Sequence, residues 1–478
     1  MHEGGARSAI ARRRSARIRI ERDSLGARAV PADALYGIFT QRARETFHLS
    51  GRPPHPALLR AYARIKRAAA LANARLGVLP TAWARAIARA ADRVIAGEVA
   101  DAAAIDALQA GAGTPTHMNI NEVIANLANE QLGGRRGRWH PLHPNNHVNR
   151  GQSSNDVTPT ALRLMALELS PPLLDELSAL VRAFRRLARR ERRTLKPGRT
   201  HLQDAVPITL GQEFSGYASV IRHGIVRIEN TRPHLSELPI GGTAVGTGLN
   251  AHPEFAPRVV AELRALTGHL FRRAENAFEA MQNKDACVEL SAALKIVAVG
   301  LMKIANDLRL LTSGARTGLN EIELPATQPG SSIMPGKVNP VIPEAVNMVA
   351  ACVIGHDTTI ALAAMNGNLD LNVMMPVIAD ALLESLDLMG NTARVLAEKC
   401  VHGIRANREQ CRVYAERSAA LVTALAPAIG YDLAAQLFKQ ALAEDKPIRQ
   451  VVLEAGALPP EKLDEILDLE KLTRGGRA

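Results

Sequence analysis

The amino-acid sequence predicts an all-α protein. Aromatic residues make up only 3% of the chain, while 47% of its residues are hydrophobic, and this balance favours a core of interlocking aliphatic helices. Several long segments repeat apolar residues at the three- and four-residue spacing of a helix. With 478 residues, the chain is long enough for about two to three domains.

The net charge of +12 comes from 59 lysines and arginines against 47 aspartates and glutamates. Five arginines lie in residues 1–17, which we predict to be an unstructured basic leader. Other arginines, as in residues 182–193, alternate with apolar residues and have few aromatic neighbours that could stack on bases. This pattern argues against a nucleic-acid partner and suits an acidic substrate.

The four cysteines have neither CxxC nor metal-ligand spacing, so we expect reduced core residues at Cys287, Cys352, Cys400 and Cys411. No uninterrupted apolar run reaches about 18 residues, and the leader lacks the apolar stretch of a signal peptide. We therefore expect a cytoplasmic protein without a membrane partner.

Three segments follow the leader. Residues 18–150 hold short helical patterns broken by turn-rich stretches, which predicts a mixed helical N-terminal domain. Residues 151–407 predict a domain built on a bundle of long helices, and residues 408–478 a small helical C-terminal domain. The long helices are expected over 160–194, 207–233, 285–313, 340–363 and 373–401.

The segment 285–313 places leucines and isoleucines on one helical stripe, but further aliphatic residues such as Ile296 and Val299 cover its other sides. A helix that is apolar on several sides needs several neighbours. The pattern therefore predicts an oligomer whose bundles share a core.

Four polar, turn-rich segments separate the helices: GAGTPTHMNINE (111–122), NRGQSSNDVTPT (149–160), GRTHLQDAVP (198–207) and GSSIMPGKVNP (330–340). They are rich in hydroxyl and amide groups and poor in carboxylates. If they converge, they form a donor-rich pocket for a small dianion, with His201, Lys337 and helix N-termini supplying positive potential.

Most of these segments also have an ordinary structural explanation. QSSND is a good helix N-cap, and a single histidine such as His201 is more often structural than catalytic. GSSIMPGKVNP is harder to explain as a simple turn. Its glycines and prolines suit a hinged loop, and its paired Ser331 and Ser332 can bring backbone N–H groups and a hydroxyl to one ligand oxygen.

GSSIMPGKVNP resembles the signature loop of the fumarase/aspartase superfamily. The other three segments, together with IGGTAVGTGLN (240–250), resemble the remaining active-site regions of that family in the same order, and the resemblance runs from about Ile18 to Leu472. It implies an all-α homotetramer of three-domain subunits with a shared central bundle. It also implies active sites that each draw on three subunits and release fumarate without an organic cofactor, while activation by a divalent cation stays open.

The resemblance assigns roles to the residues that match the family's motifs. Ser331 corresponds to the base that removes the Cβ proton, and His201 and Glu344 to a pair beside the leaving group. The expected substrate ligands are Lys337 and Asn339 for the α-carboxylate, Thr114, Ser153 and Ser154 for the β-carboxylate, Asn155 and Thr200 for the leaving group, and Ser332 on the loop.

The leaving group is less firmly indicated than fumarate. GAGT, with Ala112 where fumarases typically carry serine, and the segments 145–149 and 341–360 resemble aspartases. Ser154 stands where aspartases usually have threonine, and Met375 where many of them carry glutamate. We expect the reversible deamination of L-aspartate, with hydration of fumarate to L-malate as the alternative. A substituted C4 dicarboxylate and a catalytically inactive structural or binding homologue are further alternatives.

Overall fold

The computed structural model describes residues 17–476. The predicted leader, apart from Arg17, lies outside these residues. Helices dominate the described chain, and each of its sheets has only two strands. The all-α prediction is therefore confirmed.

The chain begins with an antiparallel hairpin of β1 (Ile18–Asp23) and β2 (Gly26–Pro31). Four helices follow: α1 (Ile38–Thr46), α2 (Pro56–Arg75), α3 (Thr81–Ile95) and α4 (Thr114–Gln131). Helix α2 starts sharply because Pro56 is preset for a first helical turn and the His55 side chain accepts a hydrogen bond from the Ala57 amide at 3.1 Å.

The middle of the chain holds the long helices and several short strands. In order, these elements are α5 (Ser154–Arg190), β3 (Leu195–Thr200), β4 (Gln203–Thr209), α6 (Leu210–Asn230), α7 (Arg232–Leu235), β5 (Glu237–Leu238), α8 (Phe255–Thr267), β6 (Arg272–Arg273), α9 (Ala277–Gln282), α10 (Asp285–Leu311), β7 (Ile322–Glu323), α11 (Val341–Met365), β8 (Gly367–Asn368), β9 (Leu371–Asn372), α12 (Met375–Lys399) and β10 (Arg405–Ala406). The five long helices predicted from the sequence are confirmed as α5, α6, α10, α11 and α12.

Shorter helices complete the chain: α13 (Arg408–Arg417), α14 (Val422–Ile429), α15 (Tyr431–Ala443), α16 (Ile448–Glu454), α17 (Pro460–Ile466) and α18 (Leu469–Leu472). Helices α14 to α18 enclose an apolar cluster of their own, which includes the fully buried Leu425, Ile448, Val451 and Leu463. A small set of short C-terminal helices was expected from the sequence.

The chain divides into two compact units. The first contains residues 17–170, 231–291 and 356–384, and the second contains residues 171–230, 292–355 and 385–476. The domains 18–150, 151–407 and 408–478 are defined along the sequence, and they stay a prediction.

Each unit has a close-packed interior. In the first, α2, α3 and α4 bury Ile65, Ile87 and Ile120 completely, and the many alanines of α2 let these helices approach closely. In the second, Phe184 and Tyr217 meet edge to face with ring centroids 5.7 Å apart.

The cysteine prediction is correct for three of the four residues. All four are free thiols, and Cys287, Cys400 and Cys411 are buried, but Cys352 on α11 is exposed in the single chain. The expectation of a core position was wrong there because α11 is apolar on most of its sides, so composition does not indicate which side the rest of the chain covers.

Within residues 17–476, helix α11 is long and apolar enough to cross a membrane by length and composition alone. It nevertheless carries Glu344, His356 and Asp357, and Ser291 donates a hydrogen bond to the Asp357 carboxylate at 2.9 Å. The helix fits the shared protein bundle predicted above equally well. The absence of a membrane partner stays a prediction.

Candidate active site

The first turns of helices α4 and α5 lie side by side in the first unit. Thr114 is the first residue of α4, Ser153 precedes α5 and Ser154 begins it. His117, one turn into α4, joins the two helices because its Nδ1 lies 2.8 Å from Ser154 Oγ. Helix N-termini carry unpaired N–H groups and partial positive charge, so these hydroxyl groups stand where an anion is stabilised.

A glycine allows this close approach. Gly113 has φ 80°, and a Cβ atom at this position would lie 2.8 Å from Cγ2 of Thr158 and 2.9 Å from the Tyr62 hydroxyl oxygen. That same hydroxyl donates a hydrogen bond to Thr158 Oγ1 at 2.8 Å. Only glycine combines this backbone conformation with the space available, so Gly113 fixes where Thr114 stands.

Ser153 and Asp156 cap the start of α5. The Ser153 amide donates to Asp156 Oδ1 at 2.9 Å, while Asp156 Oδ2 accepts from the amides of Gly241 and Thr243 at 2.9 and 3.0 Å. The side-chain nitrogen of Asn155, Nδ2, donates to the backbone carbonyl of Ala244 at 2.8 Å. The segment 240–250, which was singled out in the sequence, is therefore held against the predicted carboxylate ligands. Burial raises the pKa of Asp156 to about 6, although the three amide donors oppose that shift.

In the second unit, Thr200 and His201 lie at the tip of the β3–β4 hairpin, and both are exposed. His201 and Leu202 have φ 56° and 59°, as a two-residue hairpin turn of type I′ requires. The first strand of the hairpin is anchored in the interior, because Lys196 Nζ and Arg199 Nη1 lie 3.3 and 2.8 Å from the fully buried carboxylate of Glu321.

The signature loop also belongs to the second unit. Ser331 Oγ accepts hydrogen bonds from the amides of Ile333 and Met334 at 3.2 and 3.0 Å. The ends of the loop are tied together, since the Gly330 amide donates to the Lys337 carbonyl at 2.8 Å and the Asn339 side chain donates to the Gly330 carbonyl at 2.6 Å. Two N–H donors on one hydroxyl oxygen favour negative charge on it, which a serine base requires.

The predicted site residues thus fall into two sets. The first unit holds Thr114, Ser153, Ser154 and Asn155, and the second holds Thr200, His201, Ser331, Ser332, Lys337, Asn339 and Glu344. Ser332 and Lys337 are exposed on the loop.

The implied pair of His201 and Glu344 is not formed within one chain. Both residues belong to the second unit, yet among residues 17–476 no hydrogen bond or ion pair joins them. Glu344 lies in the first turn of α11 and lines a cavity of about 530 Å³ together with Arg309 and Ser313. The role of this pair stays a prediction.

Two polar residues behind the hydroxyl groups were not predicted from the sequence. Lys66 of α2 and His117 of α4 are buried and in contact with each other. His117 lies inside the segment 111–122, but its neighbours were singled out there for their hydroxyl and amide groups. Lys66 is one of several cations in an alanine-rich helix, and the sequence pattern does not mark it as buried.

Two family models match the chain. The model described as Lyase matches residues 26–355, and the model described as Fumarase C C-terminus matches residues 421–474. An aspartate ammonia-lyase from Bacillus sp is 46% identical over 461 residues, which cover 96% of this chain and 98% of the relative. A class II fumarate hydratase from Thermosynechococcus vestitus is 49% identical over 453 residues, with 95% and 97% covered.

Solved structures agree with this similarity. A fumarate lyase:delta crystallin from Brucella melitensis, crystallised bound to cobalt, matches with a TM-score of 0.93 at 47% identity and covers 96% of this chain and 100% of its own. A recombinant class II fumarase from Schistosoma mansoni matches with a TM-score of 0.93 at 38% identity, covering 96% and 99%. In the described part of the present chain, no group of three or more histidine, cysteine, aspartate or glutamate side chains is arranged to hold a metal ion.

Proposed function

This chain belongs to the fumarase/aspartase superfamily of lyases, and we propose that its reaction is the reversible deamination of L-aspartate to fumarate and ammonia. The main support for the release of fumarate is the placement of Thr114, Ser153 and Ser154 at two adjacent helix N-termini. These positions suit a carboxylate that gains charge during the reaction.

The charge arises when the Cβ proton is removed. The electron pair left on Cβ delocalises into the β-carboxylate and gives a doubly charged aci-carboxylate, which Thr114, Ser153 and Ser154 would stabilise by donating hydrogen bonds. The pair then forms the Cα=Cβ bond as the bond from Cα to nitrogen breaks, and ammonia leaves. No organic cofactor takes part in these steps.

Ser331 is the proposed base. Its oxygen takes the Cβ proton, and the amides of Ile333 and Met334 already donate to that oxygen. Lys337 and Asn339 on the same loop would bind the α-carboxylate, with the Ser332 hydroxyl as a further ligand. Base and carboxylate ligands therefore move together with one loop.

The leaving amine would face Asn155, Thr200 and His201, with Glu344 pairing with His201. The Asn155 amide nitrogen is engaged by the carbonyl of Ala244, so its Oδ1 is left as an acceptor. An ammonium group can only donate hydrogen bonds, and an amide oxygen suits it. Ala112 beside Thr114 also keeps the aspartase-like GAGT sequence.

Hydration of fumarate to L-malate is the second candidate, and two residues favour it. Ser154 stands where aspartases usually have threonine, and it is one of the proposed ligands of the β-carboxylate. Met375, where many aspartases carry glutamate, is fully buried at the start of α12. Relatives of both names match at similar identity, so the proposal depends on the residues of the site.

We further propose a homotetramer whose active sites combine residues of three subunits. Helices α10 and α11 expose large apolar side chains in the single chain, including Val299 at 53%, Met348 at 68% and Leu362 at 56%. Such surfaces support the shared bundle expected from the sequence. A stable, active monomer in sedimentation would contradict this proposal.

Shared sites can be tested by complementation. Ser331→Ala and Ser154→Ala chains are each expected to be nearly inactive, but refolding them together should restore activity. A mixed tetramer would contain some sites that take Ser331 from a Ser154→Ala chain and Ser154 from a Ser331→Ala chain. Absence of any recovery would indicate that both residues of one site come from the same chain.

Fumarate absorbs in the ultraviolet, so its formation shows which of the two substrates the protein acts on. Purified protein is given L-aspartate in one cuvette and L-malate in another, and Ser331→Ala protein purified in the same way controls for contaminating enzymes. A rise with aspartate supports the proposal. A rise with malate alone would make the protein a fumarase, and no rise with either would contradict both candidates.

A further inference from the structure

Lys66 is completely buried in the first unit. Its Nζ lies 2.9 Å from Asn149 Oδ1 and 2.8 Å from Gln152 Oε1, and it also contacts Nε2 of His117. An ammonium group has three protons and no acceptor, so these three contacts match its full capacity. A buried ammonium group requires such a complete set of partners.

The neighbouring amides face Lys66 with their oxygens. Asn149 Nδ2 donates to the backbone carbonyl of Gln152 at 3.2 Å, and Gln152 Nε2 donates to the backbone carbonyl of Val148 at 3.1 Å. Because each amide nitrogen already has a carbonyl acceptor, each amide oxygen is directed at Lys66. In its ammonium form Lys66 therefore donates all three protons, and His117 Nε2 accepts one of them.

This arrangement selects one tautomer of His117. A neutral imidazole that accepts at Nε2 carries its proton at Nδ1. Nδ1 lies 2.8 Å from Ser154 Oγ, so the ring donates and the hydroxyl oxygen accepts. Burial and the neighbouring Lys66 ammonium both lower the pKa of His117 well below its usual range, although a hydrogen bond with the Asn149 side chain opposes that shift, and the ring stays neutral. Burial also lowers the pKa of Lys66 well below its usual range, against the Asp156 carboxylate, so the ammonium form is assigned from its three acceptors, the two amide oxygens and Nε2.

We propose that Lys66 and His117 are positioning residues that hold Ser154 as a hydrogen-bond donor toward the substrate's β-carboxylate. With the His117 N–H on its oxygen, the serine hydroxyl can point its own proton only away from the ring. This inference rests on the proposed function, in which Ser154 binds that carboxylate. It applies equally to L-aspartate, L-malate and fumarate, because all three carry the same group.

The orientation has a chemical advantage. A free serine hydroxyl rotates and can accept or donate, whereas a carboxylate needs a donor. Fixing the donor before the substrate arrives avoids reorganisation when charge develops on the carboxylate. His117 would therefore affect binding of any C4 dicarboxylate, and it would affect the aci-carboxylate more strongly, so kcat should fall together with affinity.

Two substitutions of His117 test the roles of its two ring nitrogens separately. In His117→Gln the amide reaches the place of Nε2, where it can accept from Lys66 but offers no donor to Ser154. In His117→Asn the amide reaches the place of Nδ1 and can donate to Ser154. We expect His117→Gln to weaken binding of succinate about 10- to 100-fold, the effect of losing one hydrogen bond to a charged group. His117→Asn should stay within about threefold of the unaltered protein.

Succinate is the probe because it carries both carboxylates and no leaving group, and its binding is measured by calorimetry. A double-mutant cycle then distinguishes positioning from general disruption. If His117 acts through Ser154, adding His117→Gln to Ser154→Ala should cause little further loss of affinity. Fully additive losses would overturn the proposal.

Tyr62→Phe is the matched control in the same buried cluster. The Tyr62 ring stacks on His117 with centroids 5.8 Å apart, and its hydroxyl donates to Thr158 rather than to Ser154. Loss of the hydroxyl should lower Tm and leave succinate affinity unchanged. Equal weakening by Tyr62→Phe and His117→Gln would overturn the proposal.

A second variant covers the case in which His117→Gln does not fold. Lys66→Met combined with His117→Leu replaces both polar groups by apolar side chains of similar size, which buried sites tolerate better than removal of one partner. It should weaken succinate binding to the same degree, and unchanged affinity would contradict the inference. The two proposals fail separately, because protein that binds succinate but does not act on L-aspartate refutes only the proposed reaction.

Discussion

The hydroxyl oxygen of Ser331 lies 3.0 Å from the backbone nitrogen of Met334, three residues further along the same loop. The intervening turn also directs the Ile333 amide at this oxygen, at 3.2 Å. The loop therefore presents a serine oxygen on which two backbone N–H groups favour negative charge. The other polar segments of the predicted site consist of hydroxyl and amide donors. These donors suit a carboxylate substrate, so a catalytic role explains Ser331 better than a role in shaping the turn alone.

Replacing this residue tests its role as the base. Ser331→Ala should lower kcat at least about 100-fold, since general base catalysis contributes roughly 10²- to 10⁴-fold. Binding of succinate should change little because the carboxylate ligands remain. Steady-state kinetics and calorimetry measure the two quantities. Ser332→Ala on the same loop is the control and should act mainly on KM, whereas near-normal turnover of Ser331→Ala would rule out Ser331 as the base.

The buried carboxylate of Glu321 anchors the hairpin that carries His201. Glu321→Gln would leave the buried Lys196 with only Glu213 as an ionic partner, 3.0 Å away, and we expect a loss of about 3 kcal/mol in stability. Glu323→Gln is the control, because the ion pair of Glu323 with Arg405 is exposed and should contribute less than about 1 kcal/mol.

Thermal unfolding compares these two variants, and kinetics on the folded fraction shows whether the hairpin tip has moved. We expect Glu321→Gln to lower both Tm and kcat/KM. Equal Tm values for the two variants would contradict an anchoring role for Glu321.

Gly113 and Gly133 flank helix α4 and share φ 80°, but they differ in their surroundings. Gly133→Ala meets no atom within 4 Å and should cost about 1 kcal/mol for the left-handed backbone alone. Gly113→Ala would press against Thr158 and Tyr62, so it should cost more stability and also raise KM by displacing Thr114. Tm and KM are measured for both variants, and equal effects would show that the close contact of α4 with α5 is unimportant.

Titration of the buried Glu122 should make the free energy of unfolding depend on pH. Its buried carboxylate accepts hydrogen bonds from the amides of Gly37, Phe39 and Thr40, yet burial raises its pKa to about 7 from a usual 4.5. The folded state then binds a proton more tightly than the unfolded state. This group's contribution to stability is therefore complete below about pH 4.5 and is lost as the pH rises through about 7, by about 3 kcal/mol in total.

Glu122→Gln cannot titrate, so the Tm of the unaltered protein should fall relative to this variant between pH 5 and pH 8 by the mechanism just given. Glu45→Gln, which removes an exposed carboxylate in the same unit, is the control and should not change the pH profile. Parallel Tm curves for the unaltered and Glu122→Gln proteins would contradict a raised pKa for Glu122.

Much of the fold was predictable because helical spacing is a local property. The long helices α5, α6, α10, α11 and α12 follow from the repeat of their apolar residues, and the capping of α5 follows from the short polar run at Ser153. The exposure of Cys352 was not predictable, because α11 has apolar residues on most of its sides and its sequence does not indicate which side packs against the rest of the chain.

The sequence by itself determined the helical class, the polar segments and the hydroxyl, amide and lysine groups that a dicarboxylate site needs, since residue type and spacing are enough for these. Only the tertiary structure decided that α4 and α5 meet at their first turns, that Gly113 permits this contact, and that Lys66 and His117 lie behind Ser154. The physical reason is that a buried hydrogen-bond chain joins residues far apart in sequence. Their protonation and direction depend on partners that local sequence does not specify.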